Sequence, residues 1–180
     1  MGYRCAFKLI YSDFQRYMYL HKNGGANSIK AFALTVLFER GFKFTFWWRL
    51  AGVRSVFKPL AWLFYRHYST KYGIQINTAT HIGGGFYIGH GLGVVINPTA
   101  RIGNHFTISQ FCTIGSNKGK AATVGDNVYL APHCCVVEDV KIGDNGVVGA
   151  GSVVIHDVPQ NAVVAGSPAK IIKIRDICKE

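Results

Sequence analysis

Aliphatic residues recur at every sixth position through the second part of the chain. From Ile76 to Val154, with two interruptions, each sixth residue is Ile, Leu or Val. The thirteen positions are Ile76, Ile82, Ile88, Ile96, Ile102, Ile108, Ile114, Val124, Leu130, Val136, Ile142, Val148 and Val154. Side chains two apart in a strand point the same way, so each aliphatic residue and the residue two before it are predicted to lie inside.

The six-residue period predicts a short strand followed by a corner, with three such units closing one triangular coil. Glycine follows the aliphatic residue in seven of the thirteen units, which indicates corners that need positive φ or a close approach of backbones. Stacked coils bury a continuous column that no single coil buries alone. The predicted fold is therefore mainly β, a parallel β-helix of hexapeptide repeats preceded by a helical region.

The six-residue phase is interrupted twice. Two extra residues fall within Gly89–Gly93, and four extra residues fall within Gly115–Lys120. A β-helix accepts extra residues at its corners, as outward loops, and such loops often carry function. Counting corners in threes places the two loops on different edges, so one chain does not bring them together. We therefore predict a homotrimer with active sites between its subunits.

The first part of the chain has the spacings and caps of helices. Ser12 or Asp13 is a candidate N-cap for a first helix, and Ser28 is the candidate N-cap of a second. Pro59 fits the first turn of a last helix, which would run to about Tyr72. These signals predict a helical region in front of the β-helix.

Charge and aromatic content divide the chain at the same place. Residues 1–73 hold 12 Lys and Arg against two acids, as well as 19 of the 24 aromatic residues, whereas residues 74–180 hold 8 Lys and Arg against seven acids. We predict a basic, aromatic-rich helical region over 1–73 and a β-helix domain over 74–180. The helical region either caps the trimer or contacts an anionic membrane surface, to which Trp47, Trp48 and Trp62 are suited.

The cysteines and the apolar segments indicate the cellular compartment of the protein. The five cysteines include no CxxC motif, which indicates a reducing compartment and buried thiols. No cleavable signal peptide and no uncharged run of spanning length is evident. We expect a cytoplasmic protein, peripheral on the inner face of the cytoplasmic membrane if the helical region contacts lipid. No recognition motif for nucleic acid accompanies the basic charge, so no nucleic-acid partner is expected.

Three motifs give the chain a resemblance to a known family. They are IGHGLGVVIN over 88–97, VGAGSVV over 148–154 and AGSPAK over 165–170. With them the chain resembles the hexapeptide-repeat acyltransferases, in their serine acetyltransferase-like branch. The resemblance implies a left-handed β-helix, a trimer, acetyl-CoA as co-substrate and no metal.

The resemblance also implies site residues. His90 matches the catalytic histidine of the family, which takes the proton from an acceptor hydroxyl as that hydroxyl attacks the thioester. Histidine suits this role because the ordinary pKa of its side chain lies near neutrality. The alternative is a structural role, in which the histidine only caps a turn. Lys170 would face a phosphate of CoA. The positions that match the acetyl-CoA contacts are Pro132, Ala150, Gly151, Gly166, Pro168 and Lys170.

The chain departs from the serine acetyltransferases at positions that hold charge in that family. They carry Asp where this chain has Gln75 and Gly89, and Arg-His in a longer second loop where it has Lys120. An amino-acid acceptor needs charged partners, but a sugar hydroxyl needs none. We therefore expect acetyl transfer to a sugar of a bacterial surface polysaccharide such as capsule, O antigen or colanic acid, free or lipid-linked. Asn117 and Lys118, with Gln75 and Lys120, are candidate substrate or loop residues.

Three alternatives stay open at this point. The first is a serine O-acetyltransferase of cysteine biosynthesis. The second is a zinc-dependent protein like the γ-type carbonic anhydrases, since His81 and His105 are predicted at one corner and His90 and His133 at another. The third is a non-catalytic scaffold.

Overall fold

The computed structural model describes residues 2–21 and 28–176, with four helices followed by fifteen strands in that part of the chain. The helices are α1 Tyr3–Leu20, α2 Ile29–Phe38, α3 Arg40–Ala51 and α4 Lys58–Tyr72. The strands are β1 Gln75–Ile76, β2 His81–Ile82, β3 Tyr87–Ile88, β4 Val95–Ile96, β5 Arg101–Ile102, β6 Thr107–Ile108, β7 Thr113–Gly115, β8 Thr123–Val124, β9 Tyr129–Leu130, β10 Cys135–Val137, β11 Lys141–Ile142, β12 Val147–Val148, β13 Val153–Val154, β14 Ala162–Gly166 and β15 Ala169–Ile174.

The strands form the three faces of a prism. Sheet A has the order β1-β4-β7-β10-β13, sheet B has β2-β5-β8-β11, and sheet C has β3-β6-β9-β12-β14-β15. All neighbours are parallel except β14 and β15, which form a terminal antiparallel pair. One strand from each sheet makes one coil, which confirms the predicted parallel β-helix with N-terminal helices.

The interior is the column that the period of six predicts. Ile76, Ile96 and Ile114 pair in register on sheet A and are buried, as are the aliphatic positions of the other two sheets. The residues two positions earlier are buried too, and they include Phe86 and Phe106, whose rings stack 5.9 Å apart. Each such apolar side chain contributes about 1.5–3 kcal/mol when it is removed from water.

At five of the seven glycines that follow the aliphatic residues, neighbouring coils approach closely. At Gly89 and Gly115 an added Cβ would meet only ordinary contacts, at 3.6 and 3.5 Å. None of the seven glycines in the pattern has a positive φ. A Cβ on Gly83 would lie 2.6 Å from the carbonyl oxygen of Gly103 in the next coil, which no side chain tolerates. Of the two reasons that the sequence offered for these glycines, the structure supports the second.

The helices cover the open end of the first coil and satisfy its unpaired backbone groups. On sheet A, the Tyr65 hydroxyl donates to the carbonyl oxygen of Ile76 at 2.9 Å. On sheet C, the buried Tyr17 hydroxyl donates to the carbonyl oxygen of Ile88 at 3.3 Å and accepts from its N–H at 3.1 Å. An unpaired buried backbone group costs about 1–3 kcal/mol, so these contacts stabilise the end of the β-helix that the helices cover.

A buried ion pair covers the end of sheet B. Arg49 donates to both carboxylate oxygens of Asp13, at 3.0 and 3.2 Å, and to the carbonyl oxygens of Ile82 and Gly83. Asp13 also accepts the N–H of Phe86 at 2.8 Å. Burial raises the pKa of Asp13 to about 6 although Arg49 opposes the shift, so the carboxyl is mainly ionised at pH 7.

This role corrects one prediction about the helices. Ser12 and Asp13 are not N-caps, because α1 begins at Tyr3 and buries Asp13 in its interior. The two other cap signals are confirmed. The Ser28 hydroxyl accepts the N–H of Ala31 at 3.1 Å, and Pro59 lies in the first turn of α4.

Candidate functional site

The edge of the prism between sheet C and sheet A carries most of the predicted site, and we call it the His90 edge (89–94, 109–112, 131–134 and 149–152). Its corners stack through backbone hydrogen bonds from Phe111 N to Leu92 O at 3.0 Å and from Gly151 N to Pro132 O at 2.9 Å. This ladder aligns Leu92 with residue 110 of the next coil. His90 and Gly91 are therefore the two extra residues of the first interruption.

The insertion rests against the helical region. Both His90 and Gly91 have positive φ, at 60° and 58°. A Cβ on Gly91 would lie 2.8 Å from the backbone N of Gly41, so only glycine fits at this contact. Positive φ alone does not mark His90 as functional, because regular corner residues such as Phe111 and His133 share it. The distinguishing feature of His90 is its place in a loop that α3 supports.

His90 lines a cleft of about 460 Å³ between the His90 edge and the start of α3. Tyr87 and Phe111 lie on the β-helix side of this cleft. Glu39 and Arg40 lie on the helical side. His90, an acidic residue and an arginine therefore line one cleft.

The carboxylate in this cleft has aromatic and histidine neighbours. Glu39 Oε2 lies 3.9 Å from His21 Nε2, and the same nitrogen lies 3.4 Å from the Tyr87 hydroxyl. The pKa of Tyr87 is raised, first by burial and then by the charge of Glu39. The rings of Tyr17 and Tyr87 are 4.4 Å apart, which connects this wall to the buried cap.

The positions predicted to contact acetyl-CoA lie on the same edge as His90. Pro132 and Gly151 stack in successive coils, and Gly166 follows one coil further on, where its N–H donates to the Ser152 hydroxyl at 3.2 Å. Ala150 lies at the same corner as Gly151. Pro168 and Lys170 belong to the exposed β14–β15 end of the prism. Their role in binding stays a prediction.

The second loop lies at the other edge of sheet A, between sheets A and B, as predicted. Its residue Asn117 lines, together with Gln75, a separate cleft of about 760 Å³ on the outer face of sheet A. His90 does not line this second cleft. One chain therefore does not bring Gln75 and Asn117 to His90.

Two acids hold the second loop in place. The Glu138 carboxylate accepts the Ser116 hydroxyl at 2.7 Å and the Asn117 N–H at 3.2 Å, and these bonds lower the pKa of Glu138. Lys120 forms an exposed ion pair with Asp139 at 2.7 Å. The N–H of Lys118 also donates to Glu138, at 3.3 Å. Lys120 is thus already paired within its own chain.

Reasoning from the sequence missed Glu39, Arg40 and Tyr87 as residues of the His90 cleft. A signal was present, because Glu39 is the only acid between residues 14 and 125. Its distance from His90 along the chain concealed the proximity, which depends on how α3 packs on the first coil.

The described residues also bear on metal binding and on membrane insertion. Over 2–21 and 28–176, no three His, Cys, Asp or Glu side chains cluster in a way that would hold a metal ion. The predicted shared corner of His81 and His105 is wrong: His81 begins β2 on sheet B, whereas His105 lies at the corner between sheets B and C. No helix within these residues is long and apolar enough to cross a membrane.

Comparison with known proteins identifies relatives of the repeat. Residues 121–156 match the family model described as bacterial transferase hexapeptide (six repeats). The chain is 40% identical over 104 residues to a serine acetyltransferase of Bacillus subtilis (strain 168), a match that covers 56% of this chain and 48% of that protein. The chain thus spans about half the length of this relative.

Solved structures agree in fold. Soybean serine acetyltransferase complexed with serine superposes with a TM-score of 0.77 at 26% identity, covering 94% of this chain and 70% of that one. A serine acetyltransferase in complex with CoA gives a TM-score of 0.77 at 23% identity over 94% of this chain and 71% of that one, which shows the shared fold.

By its repeat and its strand order, the chain is a hexapeptide-repeat β-helix protein. The relatives that it resembles are serine acetyltransferases.

The expected sugar acceptor, and with it the polysaccharide branch, is therefore wrong; the comparisons favour the serine alternative. The error lay in equating uncharged residues at Gln75 and Gly89 with an uncharged site, since the His90 cleft receives charge from α3.

Proposed function

We propose that this protein transfers the acetyl group of acetyl-CoA to the hydroxyl of serine, with His90 as the general base. The observation that supports the proposal is the placement of His90. A two-residue insertion presents it to a cleft that is large enough for a small amino acid, on the edge that carries the predicted acetyl-CoA contacts. The similarity to serine acetyltransferases supports serine as the acceptor.

The proposed reaction is a direct transfer without an acyl-enzyme. The imidazole of His90 takes the hydroxyl proton as the serine oxygen attacks the thioester carbonyl carbon. The tetrahedral intermediate collapses by breaking the carbon–sulfur bond, and the imidazolium returns the proton to the departing CoA sulfur. A backbone N–H of the His90 edge would stabilise the oxyanion.

Acetyl-CoA is proposed to lie along the His90 edge. Small residues at Gly151 and Gly166 leave room for a slender pantetheine arm beside the stacked corners. The solved complex of a serine acetyltransferase with CoA supports this choice of co-substrate. Lys170, exposed at the β14–β15 end, is available to a phosphate of CoA.

A homotrimer is proposed to complete the site. His90 and the 116–122 loop lie at opposite edges of sheet A, so a neighbouring copy must supply the loop if both contact one substrate. The outer face of sheet A, between the two edges, presents the small apolar residues Val95 and Val153, whereas sheet B presents the exposed Arg101 and Lys141. Sheet A is therefore the better contact surface.

Thiol release from acetyl-CoA tests the proposed function. The purified full chain should release CoA thiol in the presence of L-serine, with O-acetylserine as the product detected by mass spectrometry. A non-catalytic scaffold would release no thiol above background. Absence of serine-dependent release at millimolar serine would refute the proposal.

Membrane-surface contact is proposed separately for the start of α4. Phe57 is 69% exposed and Leu63 is 59% exposed, beside the cationic Lys58 and Arg66. Apolar side chains among cations suit an anionic headgroup layer. Co-sedimentation with vesicles tests this: more protein should sediment with phosphatidylserine-containing vesicles than with neutral ones, and equal recovery would refute the contact.

A further inference from the structure

We infer that Glu39 and Arg40 form the amino-acid specificity site, in which Glu39 binds the ammonium group of the acceptor and Arg40 binds its carboxylate. This inference rests on the proposed function, because it names the groups that recognise serine beside His90. It assigns substrate binding to residues of the helical region that precede the β-helix.

The chemistry of the acceptor requires such a pair. Serine at neutral pH carries one positive and one negative group, and each loses much hydration when it enters a cleft. A charge-assisted hydrogen bond replaces that hydration, and an arginine can bind a carboxylate through two parallel bonds. The β-helix residues Gln75 and Gly89 carry no charge, so they supply neither partner.

The geometry supplies both charges at one place. Glu39 and Arg40 line the same cleft as His90, and they are adjacent at the start of α3. The cleft wall is fixed, because the insertion rests on Gly41 and on the Cβ of Arg40, which a Cβ on Gly91 would approach to 3.0 Å. This contact sets where the backbone of α3 begins relative to the loop that carries His90.

The Glu39 carboxylate is available to a ligand. It occupies the N-cap position of α3 but forms no capping hydrogen bond with the helix. Its contact with the ring nitrogen Nε2 of His21 is long, at 3.9 Å, and both side chains remain more than one-third exposed. An incoming ammonium would be closer and better aligned than this histidine.

Among the described residues that line this cleft, Glu39 is the one with a carboxylate that can pair with a cation. The chain has no Asp or Glu from residue 40 to residue 125. Tyr87 and His21 flank the carboxylate and limit the directions in which it can point. Arg40, as the first residue of α3, adds its charge to the positive end of the helix dipole, which also favours a carboxylate.

Three acceptors distinguish the contact with the ammonium group from the contact with the carboxylate. L-serine carries both groups, L-serinamide lacks the carboxylate, and 3-hydroxypropanoate lacks the ammonium. Steady-state thiol release is measured for each acceptor with the wild type, Glu39→Gln and Arg40→Gln. Lys141→Gln, an exposed charge removed on sheet B outside the cleft, is the matched control.

We expect Glu39→Gln to raise the KM for L-serine about tenfold or more, the effect of losing a charge-assisted bond, with kcat within about threefold because His90 is intact. The same variant should leave 3-hydroxypropanoate nearly unchanged. Arg40→Gln should raise the KM for L-serine similarly and leave L-serinamide nearly unchanged. Melting curves confirm that each variant is folded.

The outcomes distinguish this inference from the proposed function. If the wild type acetylates serine but Glu39→Gln and Arg40→Gln keep its KM, or lose activity equally on all three acceptors, the specificity site is elsewhere. If the wild type does not acetylate serine at all, the proposed function itself fails. Lys141→Gln should match the wild type on every acceptor.

Discussion

Replacing Tyr17 by phenylalanine tests whether the helical region stabilises the β-helix by satisfying its open end. Tyr17 is 1% exposed, and its hydroxyl bonds to both the N–H and the carbonyl oxygen of Ile88. Strand β3 is the first strand of sheet C, so no earlier coil can take over these bonds. Tyr17→Phe keeps the ring contacts with Phe42 and Tyr87 and removes only the hydroxyl.

The expected loss of stability follows from the two backbone groups of Ile88 that lose their hydrogen-bond partner. An unpaired buried donor costs about 1–3 kcal/mol, and a carbonyl beside it adds little because carbonyl groups tolerate the loss better. We expect the free energy of unfolding to fall by about 2 kcal/mol. For a chain of this size, 1 kcal/mol shifts the melting temperature by about 2–4 °C, so the drop should be about 4–8 °C.

Thermal melting followed by far-UV circular dichroism measures the effect at a fixed protein concentration. Tyr11→Phe is the matched control, since Tyr11 is on the same helix but is 53% exposed; it should melt within about 1 °C of the wild type. A Tyr17→Phe variant that melts with the control would show that the cap does not act through these hydrogen bonds.

Three further predictions concern other contacts. Asp13→Ala leaves Arg49 buried without its anion, so urea denaturation at pH 7 should show a loss of about 3–5 kcal/mol; a loss below about 1 kcal/mol would contradict a buried pair. Glu138→Gln weakens the hydrogen bonds that hold the 116–122 loop, so the loop amides should exchange hydrogen faster while the rest of the chain does not. Unchanged exchange would show that these hydrogen bonds do not hold the loop. Gly91→Val places a branched side chain at positive φ against α3, so it should lower both the melting temperature and the turnover of serine. Unchanged turnover would show that this contact does not position His90.

The β-helix could be predicted from the sequence because its period is local. Each aliphatic position reports its own burial, and the two interruptions identify their own corners, as at His90 and Asn117. The reason for the glycines could not be derived in the same way, since the clash at Gly83 depends on how closely the next coil approaches.

The helical region was predicted only in outline. Asp13 has the residue type of an N-cap, but its partner Arg49 lies 36 positions away, and a buried pair at that separation leaves no local signal. Glu39 was overlooked in the same way, since its place beside His90 depends on the packing of α3. The expected sugar acceptor rested on the absence of charge at β-helix positions alone, and it left out Glu39 and Arg40, which line the His90 cleft.

The most direct test of the account is the effect of His90→Ala on acetyl transfer to serine. General-base catalysis contributes about 10²- to 10⁴-fold, so kcat/KM should fall by at least about 100-fold in a variant that melts like the wild type. His81→Ala, an exposed histidine on sheet B, should keep wild-type activity. If His90→Ala retains more than about a tenth of the wild-type kcat/KM for serine, His90 is not the base and the proposed mechanism is wrong.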